Sequence, residues 1–240
     1  MKNFIIFLLR LTRVLPLFKQ SLISHYGNRS KIITLRLDDI VGLSKNNTAV
    51  KDYGFTQGNG GISPYESYVI CSLVKHFQPN TIFEFGTFEG DTTYLMVSSS
   101  STSTKIFTIS LTPEQYRNTR YGVGIREKKY IASEDRTGIR FKNTKYADQI
   151  QLILADSGKY DYRKLDGQID FCFVDGSHTY DYVRNDTEAA LLMLTDNGII
   201  VWHDYETALG VTRYLSKLSQ NMDLAQIENT SLIVKLPAGQ

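Results

Sequence analysis

Five apolar runs in the sequence end in side chains that can do chemistry. Glu84 and Thr87, Ser110, Asp156 and Ser157, Asp175 and His178, and His203 and Asp204 each fall at or just beyond the carboxyl end of a predicted strand. A single acid in such a place is commonly a helix N-cap. Five successive runs ending this way point to one shared site. The first of them, Thr81 to Thr93, reads as a buried strand, a glycine-bounded turn and a helix start. Its spacing is acid-x-Gly-x-x-x-Gly, without the Gly-x-Gly-x-x-Gly of a phosphate-cradling dinucleotide site. Gly86 and Gly90 remove side chains where backbone would pass close to a ligand, and Thr92 and Thr93 begin a helix whose free amides face the same spot. An acid beside the turn repels a pyrophosphate and suits a ligand with a cationic end and ribose hydroxyls. Glycine turns of this kind also arise for structural reasons alone.

The elements that must position these residues follow from periodicity. Ile82, Phe83 and Phe85 form the short apolar run of a parallel strand covered on both faces. Lys105 to Ser110, Gln151 to Ala155, Ile169 to Val174 and Ile199 to Trp202 read as further strands. Between them, Ser63-Pro64-Tyr65-Glu66 opens a helix, with Ser63 as N-cap, Pro64 at the first helical position and Glu66 completing a capping box. Tyr182 to Leu194 is amphipathic and stops at Asp196-Asn197-Gly198; Val211 to Leu218 is helical. Leu224 to Ile227 and Ser231 to Leu236 make a terminal hairpin, and Ile32 to Leu37 is a candidate short strand. Alternating strands and helices imply a parallel, doubly wound α/β sheet with right-handed crossovers, the hairpin adding an antiparallel strand. In such sheets ligands bind outside the carboxyl ends of the strands. Two stretches are not assigned to regular structure. Asp38 to Gly61 is turn-rich and reads as a mobile loop or lid, and Tyr121 to Lys145 as a surface excursion or a substrate-side insertion.

With 240 residues, one large α/β domain behind an N-terminal extension is expected, the extension over 1–57 and the domain over 58–240. A formal net charge of +2 gives no reason to expect nucleic acid as a partner. Cys71 and Cys172 sit in apolar periodic segments and read as buried free thiols, with neither a disulfide framework nor a zinc spacing. Met1 to Lys19 places Phe4, Phe7, Leu8, Leu11, Val14, Leu15 and Phe18 on one face of a basic amphipathic helix. Arg10 and Arg13 interrupt it well short of a membrane span. It reads either as docking on the domain or a homodimer partner, or as lying on an anionic membrane surface.

The Glu84-to-Thr93 turn, Ala155-Asp156-Ser157, Asp175-Gly-Ser-His178, Asn197-Gly198 and Trp202-His203-Asp204-Tyr205 together resemble the class I S-adenosylmethionine (SAM)-dependent methyltransferases. The likeness is to the branch of small-molecule and sugar O-methyltransferases with Asp-Gly-x-His and His-Asp-Tyr segments, and it covers roughly Gly58 to Leu236. It implies a Rossmann-like, mostly parallel seven-stranded sheet with an antiparallel C-terminal hairpin, in a cytoplasmic enzyme, peripheral to the membrane if its first helix lies there. It implies a methyl group passed to a hydroxyl of a sugar, glycolipid or other small metabolite. Glu84, Gly86, Thr87 and Gly90 would hold the methionine end and ribose of SAM, with Thr92 and Thr93 nearby, and Asp156 and Ser157 would meet the adenine edge. Ser110 stands where the family usually has the acid that takes both ribose hydroxyls; Glu114 is a candidate substitute. Asp175 and Asp204 occupy the positions that hold a divalent cation, Mg²⁺ by their oxygen chemistry. His203 stands beside them as a further ligand, a residue behind the ligands or a strand-end polar group. His178 is the candidate base, working with Asp175. Two other readings stay open on the same fold: an iron-dependent oxygenase-like enzyme using His203, Asp175 and Asp204, and a non-catalytic scaffold.

Overall fold

The computed structural model describes residues 19–27, 30–42 and 61–237. The expected N-terminal amphipathic helix therefore lies outside the described residues except at Lys19. Eight strands form one sheet: β1 (Ile33–Leu35), β2 (Thr81–Phe85), β3 (Lys105–Ser110), β4 (Ile150–Leu154), β5 (Ile169–Val174), β6 (Leu194–Trp202), β7 (Ala225–Ile227) and β8 (Ile233–Lys235). Their order is β1-β7-β8-β6-β5-β2-β3-β4. The strands β2 to β6 pair in parallel, and β8 runs antiparallel to both β6 and β7. The Rossmann-like doubly wound sheet and its terminal hairpin are as the sequence implies. The strand count differs by one, because Ile33–Leu35 pairs in parallel with β7 and extends the edge.

Apolar runs rather than alternating patterns specify the central strands because both faces are covered. On β5, Phe171 and Phe173 pack on one face with Val69, Ile70 and Leu73 of the Pro64–Phe77 helix and Leu95 and Met96 of the Asp91–Ser99 helix. Cys172 and Val174 point the other way, toward Val183 and Met193 of the Tyr180–Met193 helix and Leu215 of the Leu209–Leu218 helix. Both cysteines are buried free thiols.

Ser63 caps the Pro64–Phe77 helix as its sequence predicts: the Glu66 amide donates to Ser63 Oγ at 3.2 Å and the Ser63 amide to Glu66 Oε2 at 2.9 Å. Three other segments differ from expectation. Leu37–Val41 is a short helix at the start of the expected loop; residues 43–60 of that loop lie outside the described part. The strand read as Ile199 to Trp202 begins earlier, at Leu194, and carries an irregular register opposite Ile169 and Phe171. Tyr121 to Lys145 contains a 3₁₀ segment, Ile125–Tyr130, and a short helix, Ile139–Lys142. Among the described residues no helix is long and apolar enough to cross a membrane.

Candidate functional site

The carboxyl ends of β2, β3, β4, β5 and β6 open into one cavity of about 740 Å³. Gly86, Thr87, Gly90, Thr92, Ser110, Asp156, Ser157, Asp175, His178, His203 and Asp204 all line it. The convergence has a simple cause. In a parallel sheet every strand delivers its last residue to the same edge, so residues distant in sequence meet there.

Glu84 and Thr93 are exceptions. Glu84 shares the parity of Ile82 along β2, and so turns to the sheet face covered by the Asp91–Ser99 helix. It is fully buried there, and its Oε2 accepts hydrogen bonds from the hydroxyls of Thr93 and Thr108. Thr108 Oγ1 is in turn 2.6 Å from Thr87 Oγ1. Glu84 and Thr93 support the turn from beneath and do not line the cavity. Burial raises the Glu84 pKa to about 8; the threonine hydroxyls oppose the rise and the charge of Asp175 adds to it. The unfolded chain releases this proton near 4.5. The folded protein thus binds more protons than the unfolded chain between these values, and stability falls as pH rises across that window. Glu84→Gln is expected to remove this slope, so its stability relative to the parent grows by about 1.4 kcal/mol per pH unit there. Urea denaturation at several pH values checks this; a difference that does not change with pH would mean that Glu84 is ionised in the fold.

The turn glycines answer to packing as well as to any ligand. A Cβ on Gly86, at φ +98°, would lie 2.1 Å from the Asp175 carbonyl oxygen of the adjoining strand end. At Gly90, φ +90°, it would meet the Phe141 ring at 2.7 Å. Phe141 belongs to the segment that clamps the turn from outside, where Gly138 and Arg140 donate backbone hydrogen bonds to the carbonyls of Phe88 and Glu89.

At the far end, the Asp156 carboxylate accepts from the amides of Arg120 at 2.7 Å and Gly158 at 2.9 Å and from the Tyr182 hydroxyl at 2.7 Å. Asp186 also lines the cavity, and burial pushes its carboxyl up to about 7, opposed by hydrogen bonds with Asn185 and Ser157. Ser110 is buried at the end of β3. Glu114, the expected substitute for the absent acid, is exposed and does not line the cavity.

Over β5 and β6 two histidines and four carboxylates form a cluster. His178 Nε2 is 2.8 Å from Asp204 Oδ2 and 4.0 Å from Asp175 Oδ1. His203 Nδ1 is 3.2 Å from Asp175 Oδ1 and 3.5 Å from Asp204 Oδ2, while its Nε2 faces Glu66 Oε2 at 3.5 Å. Burial alone would lower the pKa of either imidazole. For His203 the charge and hydrogen bond of Asp175, with Asp204 and Glu66, outweigh burial and hold the ring protonated well above its ordinary range. For His178 the Asp204 hydrogen bond and the charges of Asp204, Asp175 and Glu127 likewise raise it. Burial pushes the Asp204 and Glu66 carboxyls up, but hydrogen bonds from the histidines, and for Glu66 also from Ser231 and Ser63, hold both well below the usual carboxylate range. Asp204 itself sits at φ +64°, a backbone conformation that costs on the order of 1–3 kcal/mol for a non-glycine residue and is held by its surroundings.

Ligand atoms of Asp175, His178 and Asp204 lie within 4.8 Å of one another, a set able to share one cation. His203, for which a ligand's place, a place behind the ligands and a plain strand-end role were open, is not in that set. Its Nδ1 lies toward Asp175 and Asp204 and its Nε2 toward Glu66, so both nitrogens face carboxylate oxygens.

Two members of the cluster carry no signal of this role in the sequence. Glu66 completes a local capping box, yet its Oε1 also accepts from the Ser231 amide at 2.9 Å and hydroxyl at 2.7 Å, which brings the β7–β8 turn to the site. Glu127 comes from the aperiodic excursion, and its carboxylate accepts from Ser177 Oγ at 2.7 Å and from the His178 amide at 2.9 Å.

The sequence profile of the Methyltransferase domain family matches residues 83–205. No curated protein matches the chain. Among solved structures the chain is similar to the SAH-bound methyltransferase PaMTH1 of Podospora anserina, with TM-score 0.57 and 16% identity over 89% of this chain and 92% of that one. It is also similar to the O-methyltransferase TomG of Streptomyces achromogenes, involved in tomaymycin synthesis and solved with SAM, with TM-score 0.53 and 15% identity over 75% and 82% of the two chains.

Proposed function

Because the chain belongs to the Methyltransferase domain family, we propose that it uses SAM to methylate a hydroxyl of a sugar, glycolipid or other small metabolite, with His178 as the base. The observation that carries this reading is the meeting of two features in one cavity: the glycine turn after β2, and the Asp175–His178–Asp204 cluster at the ends of β5 and β6. SAM supplies an activated methyl group on a sulfonium centre. Gly86, Thr87, Gly90 and Thr92 line the part suited to its methionine end, and Ser110, Asp156 and Ser157 the part suited to its nucleoside. With Ser110 in place of a carboxylate, the ribose hydroxyls meet a neutral partner, and one charge-assisted contact is forgone.

The acceptor hydroxyl would give its proton to Nδ1 of neutral His178, since Nε2 carries the hydrogen that Asp204 accepts, as its oxygen forms the bond to the methyl carbon. The electrons of the breaking carbon–sulfur bond remain on sulfur. Asp204 orients the His178 ring through the 2.8 Å contact, and Glu127 fixes the His178 backbone. In-line placement of oxygen, carbon and sulfur does the remaining work. Asp175 and Asp204 would hold a divalent cation, their two carboxylates suiting Mg²⁺, with His178 beside them left to take the proton. Such a cation supplies Lewis-acid polarisation of the acceptor oxygen. An iron-dependent oxygenase reading draws no support from His203, whose two nitrogens are directed at carboxylates.

Calorimetry of the full chain with SAM, with and without Mg²⁺, tests the proposal. Binding heat and transfer of a labelled methyl group to a hydroxyl acceptor are expected; no heat at millimolar SAM in either condition would overturn it.

A further inference from the structure

A second groove, of about 630 Å³, adjoins the first. The two share Gly61, His203 and Asp204, so they meet at the acid–imidazole cluster. Its walls come from the start of the Pro64–Phe77 helix, the segment after β6, and the β7–β8 turn. Ser63, Thr207 and Thr230 offer hydroxyls, Gln226 and Asn229 amides, and Glu206 a carboxylate. No lysine or arginine is among the described residues that line it. Lys19, which bonds the Thr207 carbonyl, lines the first cavity. Tyr205 offers no ring face, since it is buried with its hydroxyl 3.3 Å from Ser216. The polar groups are ordered in advance: Gln226 Nε2 donates to the Thr230 carbonyl at 2.9 Å and reaches Glu206 Oε2 at 3.5 Å. Glu206 and Asn229, like Asp204, hold positive φ, at 62° and 61°. Three such non-glycine residues around one groove mark a backbone shaped at some energetic cost.

This lining selects a ligand chemistry. Among the described residues that line the groove, an anionic acceptor would meet Glu66, Asp204 and Glu206 with no lysine or arginine, and a planar apolar acceptor would meet no aliphatic side chain and no open aromatic face. A ring of hydroxyls can donate to the Glu206 carboxylate and the amide carbonyls of Gln226 and Asn229 and accept from the Asn229 amide nitrogen. On the methyltransferase reading, on which this inference rests, we propose that the groove is the acceptor subsite. It takes a polyhydroxylated ligand without anionic groups, such as a saccharide ring, with the hydroxyl to be methylated turned toward Asp204 and His178.

The test uses the full chain, methyl-labelled SAM, and a panel of hexose and deoxyhexose methyl glycosides beside hexose phosphates, uronic acids and catechol. Label is expected in glycosides. For the best of them, Gln226→Ala should raise KM about tenfold, the effect of one lost hydrogen bond, with kcat and SAM affinity unchanged. Glu206→Gln serves as the second variant. Label confined to the anionic acceptors or catechol, no labelled glycoside, or KM unchanged in both variants would overturn the subsite. SAM calorimetry on the parent separates the two readings. Binding heat without labelled glycosides removes the subsite alone, and no binding heat removes the methyltransferase reading and the subsite together.

Discussion

His178→Ala is expected to lower kcat by about 10²–10⁴-fold, the usual contribution of a positioned general base, while SAM affinity stays within a small factor of the parent. The separation follows from position, since His178 borders the cavity at Asp204 and the glycine turn lies at the end of β2. Burial opposes the protonated ring, yet the Asp204 hydrogen bond and the charges of Asp204, Asp175 and Glu127 raise its pKa. The ring is therefore still protonated, and unable to accept a proton, at pH values where an ordinary histidine is neutral. Activity of the parent should rise with pH through that raised value, so the acid limb of the kcat profile lies above the ordinary histidine range. Steady-state kinetics with calorimetry of SAM binding reads both effects. A kcat within a few fold of the parent, or equal losses of SAM binding and turnover, would remove His178 from the role of base.

Gly86→Ala is expected to destabilise the fold by about 2–5 kcal/mol, combining the penalty of positive φ with overpacking. The new Cβ would sit 2.1 Å from the Asp175 carbonyl oxygen and 2.7 Å from its carbon, both backbone atoms of the strand end that carries the cluster. Neither can swing aside as a side chain can. Gly90→Ala should cost less, because its nearest neighbour is the Phe141 ring, which can turn, although the Gly138 Cα at 3.0 Å sets a limit. Chemical denaturation of the two variants side by side checks the order. Equal losses, or a loss below about 1 kcal/mol at Gly86, would show that the strand ends separate easily.

Much of this architecture is legible in local sequence pattern. The apolar runs of β2 and β5, the Ser63-Pro64-Glu66 cap, the terminal hairpin and the polar residues after successive strands can all be read from neighbouring residues, because hydrophobic periodicity and capping are short-range effects. Strand-end position was enough to bring Gly86, Thr87, Gly90, Thr92, Ser110, Asp156, Ser157, Asp175, His178, His203 and Asp204 to one cavity, since a parallel sheet sends all its carboxyl ends to one edge. The burial of Glu84 was in principle legible too. Alternation along β2 gives it the parity of Ile82, beneath the following helix, while Phe83 and Phe85 take the opposite face.

The sequence by itself determined the sheet, the edge at which chemistry gathers, and most of the side chains found there. Tertiary structure alone decided which of them touch. Glu66 reads locally as a cap, and only the packing of its helix beside β6 and the β7–β8 turn sets it against His203 and Ser231. Glu127 lies in a segment with no period, and only its folding back over the β5 end brings it to Ser177 and His178. His203 looks like one more strand-end ligand until both of its ring nitrogens are seen to face carboxylates. Local rules fix which face or end a residue occupies; partners brought from distant segments fix the protonation and direction of the side chain, and these decide what it can do.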